Sequence, residues 1–246
     1  MSDADGSGDA GSVRPIDERL EAHRLARQQP DGNWAAKRRL AGALRALLDV
    51  CCATDAPEAE LLELAETIER ATARFRAQPR MQDPPGVAEA SFTGMETFHD
   101  RSPMMGMANP MAPPAVLEVD REAAQVRGRV EFGNAYEGGP GLVHGGFLAS
   151  LLDEALGMAC TFSGQPGMTG ELTVRYLAPT RIKVPLRLEA HFERVEGRKI
   201  WTTGGIFDGE RQTVQARGLF ISIDGAKFAS FNAERKQRLG SDASGG

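Results

Sequence analysis

The segment reading EGGPGLVHGGFLASLLDEALG, Glu137–Gly157, sets five glycines, a proline and one of the chain's four histidines ahead of an apolar run that contains a carboxylate, Asp153. If the run is a helix, its first amides have no acceptor inside the helix and point outward. The aligned peptide dipoles add partial positive charge at that end, and glycines leave a ligand free to approach. Such an end binds a phosphate or stabilises an incipient oxyanion. Asp153 can then act as a general base or as a nucleophile. Each feature alone has a plainer reading: the glycines as a turn, Asp153 as a solvated helix residue, His144 as a loop or capping histidine. Only their combination points to chemistry.

A length argument sharpens it. Gly145 and Asp153 are eight residues apart, about 12 Å along a helix at 1.5 Å per residue. One carbonyl cannot touch both in the same chain. If both serve one reaction, two copies of the helix must lie antiparallel, with Gly145 of one subunit facing Asp153 of the other about a two-fold axis.

The elements that position these residues follow from periodicity. On a helix from about Gly146 to Cys160, Phe147, Leu148, Leu151, Leu152, Ala155, Leu156 and Ala159 form the side that lies on a sheet, while Gly146, Ser150, Asp153 and Gly157 form a small, polar seam. Period-two alternation predicts strands in AVLEVD and AAQVRGRVEF before this helix. After it come GELTVRYL, VPLRLEAHFERV, KIWTTGGIFD and RQTVQARGLFISI, read as a four-stranded meander. Glu196–Gly197 and Asp208–Gly209 suit tight hairpins. Upstream, Leu40, Leu44, Leu47, Leu48 and Cys51 recur at helical spacing, as do Leu61, Leu64, Ile68 and Phe75, with Asp55 placed to cap just ahead of Pro57. A helical hairpin is expected there. The fold class is α+β: one long helix against an antiparallel sheet, with an added N-terminal helical segment. The expected division is a disordered tail over 1–15, the helical extension over 16–79, a linker over 80–112, the catalytic domain over 113–231 and a tail over 232–246.

Composition excludes several classes. Thirty-four acidic against 29 basic residues give a net charge of −5, which argues against a general nucleic-acid binder. Three cysteines are too few and too irregular for a disulfide framework or zinc site, and Cys51 and Cys52 read as small apolar fillers on a helix. His23, His99, His144 and His191 show no ligand spacing, so no metal is expected. The acidic start lacks a signal-peptide pattern and no apolar run is long enough to span a bilayer. The expected location is the cytoplasm. Five methionines between Met95 and Met111 are core or loop filling, or a pliable lining for an acyl chain.

GPGLVHGGFLASLLDEALG followed by MTGELTVRYLAPTRIKVPL resembles the hotdog-fold acyl-CoA thioesterases, closest to the phenylacetate-type and thioesterase-superfamily-member branch. The resemblance covers about residues 113–223. It rests on HGG, on an Asp nine residues after His144, and on T–x–x–L–x–V–x–Y–x–x–P in that order. It implies a sheet wrapped around the long helix, dimers or dimers of dimers that pair sheets edge to edge, and sites at the subunit interface. It implies Asp153 as the catalytic carboxylate, Gly145 as the amide that polarises the thioester carbonyl, His144 as the residue shaping the loop and Thr169 as the group orienting water. Gly146, Asn134 and Ser150 are the implied substrate-binding residues. No cofactor is implied, coenzyme A entering as part of the substrate. Arg181, Lys183, Arg198 and Lys199 are candidates for its phosphates, or ordinary solvated edges. Two rivals stand beside hydrolysis. One is a non-catalytic acyl-CoA-binding protein on the same scaffold; the other is a hydratase, for which the helix offers no His near Asp153.

Overall fold

A computed structural model describes residues 32–79, 100–223 and residue 234. The expected tails, most of the linker, His23, His99 and Met95 lie outside the described residues. The described elements are α1 (Gly32–Cys51), α2 (Glu58–Arg76), β1 (Val116–Asp120), β2 (Gln125–Val130), α3 (Gly145–Cys160), β3 (Gly167–Tyr176), β4 (Leu186–Glu196), β5 (Lys199–Asp208) and β6 (Arg211–Ser222), with 3-10 turns at Asn134–Tyr136 and Thr161–Ser163.

The six strands form one sheet in the order β1-β2-β4-β5-β6-β3, antiparallel throughout. The sheet packs around α3, whose Leu148, Leu151, Leu152, Ala155, Leu156 and Ala159 are buried as their spacing requires. Leu156 reaches the sheet where β5 and β6 carry glycine. A Cβ on Gly204 would stand 2.6 Å from the Glu189 carbonyl and 3.2 Å from Leu156 Cδ2; one on Gly218 would meet the Phe220 ring at 2.6 Å. Glycine there lets helix and sheet approach closely. Each fully buried leucine contributes about 1.5–3 kcal/mol of apolar burial, so the helix that carries the site is fixed from beneath.

The β4–β5 and β5–β6 hairpins close through two residues each. Gly197 and Gly209 both adopt φ +60, and neither Arg198 nor Glu210 has positive φ. Glycine in the first central position with positive φ is the type II′ pattern, whose twist matches that of the flanking strands.

Four expectations change. β3 does not begin a meander: α3 carries the chain across the concave face to the far edge, β3 pairs with β6, and the link from Leu177 to Pro185 returns it so that β4 pairs with β2. The two N-terminal helices do not fold onto each other through their leucines. α2 buries no residue, and Leu61, Leu64, Ile68 and Phe75 stand exposed. α1 seats on the domain through a different stripe from the expected one. Ala41 is buried and Arg38, Arg45 and Asp49 reach inward, while Leu40 and Leu48 face out. Cys51 and Cys52, at the end of this helix, are exposed rather than packed; Cys160 is buried. Among the described residues, no helix is long and apolar enough to cross a membrane.

The polar stripe makes specific contacts. Arg38 forms a two-pronged ion pair with Asp100 at 2.6 and 2.9 Å, with the carboxylate side chain 4% exposed. Arg45 donates to the carbonyls of Met107 and Asn109 at 3.2 and 2.8 Å. Of the methionines in this segment, Met104 is buried and Met105 packs on the core, whereas Met107 and Met111 are exposed.

Candidate active site

α3 begins at Gly145, with His144 as its N-cap in extended conformation. His144 Nδ1 accepts the Gly146 N–H at 3.0 Å, and the His144 carbonyl accepts that of Phe147 at 3.0 Å. A ring nitrogen that accepts carries no proton, so the neutral imidazole bears its hydrogen on Nε2. Of the first helical amides, that of Gly145 is left with no acceptor among the described residues. The sequence suggested a cluster of free donors; the cap reduces it to one.

Asp153 lies two turns on, half-buried. Thr169 Oγ1 donates to its Oδ1 at 2.8 Å. This contact depends on a β-bulge. Strict alternation along β3 places Leu172, Val174 and Tyr176 on the helix side and sends Thr169 to the outer face. The register with β6 slips between Thr169 and Glu171, leaving Gly170 extra, and one extra residue reverses the facing of what precedes it. Thr169 thereby turns toward α3. At the other end of the strand Tyr176 donates its hydroxyl to the Gly145 carbonyl at 2.8 Å. β3 thus touches α3 beside both Asp153 and Gly145, and neither structural contact uses the Gly145 N–H or the second Asp153 oxygen. Tyr176 stands in the motif but was given no task by the sequence reading; its even spacing from Leu172 was the available signal. An open cleft of about 700 Å³ lies beside this helix end, lined by His144, Gly145, Gly146, Tyr176 and Pro179 among others.

The three expected substrate-binding residues have partners within the chain. The Gly146 amide is given to His144, Ser150 Oγ donates back to the Gly146 carbonyl at 2.9 Å, and Asn134 Nδ2 donates to Asp49 Oδ2 at 3.1 Å. Of the basic candidates, Arg181 pairs with Asp208 through two bonds of 2.7 and 2.8 Å, and Arg198 donates to the Ser222 carbonyl. Among the described residues, no group of His, Cys, Asp and Glu could hold a metal ion.

The fold and this sequence have known counterparts. A family model described as the thioesterase superfamily matches residues 140–215. A crystal structure of a thioesterase superfamily protein superposes with a TM-score of 0.70 at 34% identity, covering 79% of this chain and 94% of the other. The chain belongs to the thioesterase superfamily. Its architecture is the superfamily's hotdog fold, with α1 and α2 added in front. Two curated relatives are acyl-coenzyme A thioesterase THEM4 of Rattus norvegicus, 34% identical over 90 residues, and the same-named protein of Bos taurus, 33% identical over 96 residues. These matches take in 36% and 38% of this chain and 39% of each relative, so the chain spans about two fifths of the relatives' length.

Superfamily membership leaves Glu154 to be explained, the carboxyl beside Asp153 that the sequence reading passed over. It turns inward, accepting the Ser102 hydroxyl at 3.2 Å, while Ser102 Oγ also accepts the Met104 and Met105 amides. Burial pushes the Glu154 carboxyl up from its ordinary value. The Ser102 bond opposes this and the neighbouring Asp153 charge adds to it. A folded-state value above the unfolded one, about 4.3, gives stability that is full below that pH and lost as pH rises through the folded value. Gln keeps the acceptor and removes the charge. Glu154→Gln should therefore raise the melting temperature at pH 7–8, with the gain shrinking to nothing toward pH 4. Thermal unfolding across that range checks it, and a gain that grows toward acid refutes the assignment.

Proposed function

We propose that two copies of this chain hydrolyse an acyl-CoA thioester to free acid and coenzyme A, at sites shared between the subunits. One observation carries this reading. The free Gly145 N–H and the Thr169-held Asp153 both lie along β3, one of the two edge strands of the sheet, about 12 Å apart on the same helix.

An exposed edge strand of ten residues with Met168 and Tyr176 about half exposed is a template for pairing with another strand. Two β3 strands related by a two-fold axis at Thr173, with Gly170 left extra in each, bring Thr169 opposite Tyr176 of the partner subunit. Because Thr169 marks Asp153 and Tyr176 marks Gly145, this pairing sets each acid beside the other subunit's amide. The 12 Å that separates them within a chain becomes the spacing between two sites.

At each site the thioester oxygen accepts from the Gly145 N–H, reinforced by the helix end, where negative charge develops on attack. Asp153 of the partner subunit takes a proton from water while Thr169 fixes its orientation. Collapse of the tetrahedral adduct breaks the C–S bond, and the proton returns to the departing thiolate. Direct attack by the carboxylate, giving a mixed anhydride that water then opens, uses the same groups. Neither route needs a cofactor. Names and fold of the relatives support hydrolysis of acyl-CoA; a cytoplasmic setting in lipid metabolism fits the same substrate.

The test is release of free thiol from acyl-CoAs varied in chain length and in aromatic or aliphatic type. Thiol release from some members of the panel is expected. Binding without release would make the chain an acyl-CoA-binding protein, and loss of enoyl absorbance without thiol would make it a hydratase; either result overturns the proposal.

A further inference from the structure

α1 reaches the loop that carries the amide donor, and does so through one carboxylate. Asp49 accepts the Asn134 backbone N–H through Oδ1 and the Asn134 side-chain amide through Oδ2 at 3.1 Å, and its carbonyl takes the same amide at 3.2 Å. The carboxylate thus caps the 3-10 turn Asn134–Tyr136, whose first amides otherwise lack acceptors. The approach is so close that a Cβ on Gly133 would collide with the carboxylate of Asp49.

This turn is the base of the loop that delivers His144. The Tyr136 carbonyl accepts the His144 N–H at 2.9 Å. The Tyr136 ring stands edge-on between Phe132 and Phe147, with centroids at 5.4 and 5.0 Å. Its hydroxyl donates to the Met111 carbonyl at 3.0 Å, in the segment that Arg45 holds from α1. Arg45 and Asp49 are one turn apart on α1 and fasten the two sides of Tyr136. His144 in turn caps α3 and commits the Gly146 amide, which is what singles out the Gly145 N–H.

From this chain of contacts we infer that Asp49 is a positioning residue for the reaction: through Asn134, Tyr136 and His144 it fixes where the Gly145 N–H points. The inference rests on the proposed hydrolysis for its kinetic consequence, though not for its structural one. It also assigns a task to the N-terminal helix, whose docking face sets Arg38, Arg45 and Asp49 around the buried Ala41. A misplacement of the order of 1 Å at a reacting group can cost about 100-fold in rate, and the Asp49 acceptors are what tie this loop to α1.

The experiment compares Asp49→Ala, Asp49→Asn, Asn134→Ala and the Asp49→Ala/Asn134→Ala double variant in the full chain. Leu48→Ala, on the exposed side of α1, is the control. Two quantities are read: kcat and KM by thiol release, and amide hydrogen exchange over residues 134–147. Asp49→Ala should lower kcat by roughly 10- to 100-fold with KM within about threefold, and Asn134→Ala, which keeps the backbone N–H bond to Asp49, should cost less. The double variant should be no worse than Asp49→Ala alone, because the bonds that Asn134→Ala removes are part of the path that Asp49→Ala already cuts. Asp49→Asn keeps an oxygen for the Asn134 N–H and, with the Asn134 amide turned over, a second bond; it should recover most of the lost rate. Exchange over 134–147 should rise about tenfold in Asp49→Ala and stay unchanged in Leu48→Ala.

Unchanged exchange in Asp49→Ala overturns the inference whatever the kinetics. So does wild-type kcat, a loss of rate matched by loss of folded protein, or additive effects in the double variant. If the wild-type chain releases no thiol from any acyl-CoA, the proposed function fails, and the exchange measurement alone decides the role of Asp49.

Discussion

Asp153→Asn should lower kcat for thioester hydrolysis by about 10²–10⁴-fold, the usual share of a general base. The substitution is nearly isosteric. Asn still offers an oxygen to the Thr169 hydroxyl, which now donates to Asp153 Oδ1 at 2.8 Å. What it loses is the capacity to take a proton or to attack as an anion. Stability should therefore change little, and circular dichroism with thermal unfolding separates the chemical loss from any loss of fold. Thr169→Ala should cost less, since it removes only the group that orients the carboxylate. Near-normal turnover by Asp153→Asn would remove the acid from the mechanism.

Gly145→Pro should lower kcat by about 10²–10³-fold, the cost of one missing donor to a developing oxyanion. Proline is suited to the first helical position, where it deletes an N–H that the helix itself does not use. His144 precedes it with φ −62 and ψ 129, the extended region that a residue before proline prefers. The added Cβ meets the Tyr176 ring at about 3.1 Å, so that ring must shift slightly. The larger effect is in mixtures. When Gly145→Pro and Asp153→Asn proteins are dissociated and reassociated together, half of the dimers are mixed. Each mixed dimer carries one site with both native groups, so activity should return to about one quarter of wild type. Two nearly dead proteins should thus become an active one. Mixed dimers that stay inactive would show that acid and amide do not meet across an interface.

The residues that pack around the site were legible from spacing alone. The apolar side of α3, the six strands and both tight turns follow from periods of 3.6 and 2 and from glycine at fixed places, because burial on one face leaves that trace in any sequence. The HGG–Asp spacing gave the 12 Å separation. Even the bulge left a mark: Thr169, Leu172, Val174 and Tyr176 are spaced three, two and two, and the odd interval is where Gly170 is extra.

The polar joints were not legible. α1 was read by its leucines, yet it docks through Arg38, Arg45 and Asp49, whose partners lie 62 to 85 residues away. Glu154 was overlooked because nothing local says that one of two adjacent carboxyls turns inward to Ser102. The sequence offers Asn134 as a substrate ligand and carries no sign that Asp49 holds its amide. β3 alternates like any strand, and its place at the open edge came only with the crossing of α3 over the sheet.

By itself, then, the sequence determined which segments become helix and strand, which side of α3 is buried, and that an amide and an acid sit two turns apart. Those are consequences of local geometry and of apolar burial, which repeat along the chain. Tertiary structure alone decided which donor stays free, which way Thr169 and Glu154 point, and what the N-terminal helix holds. Hydrogen bonds and ion pairs between distant residues carry no period, and they exist only once the chain has brought their partners together.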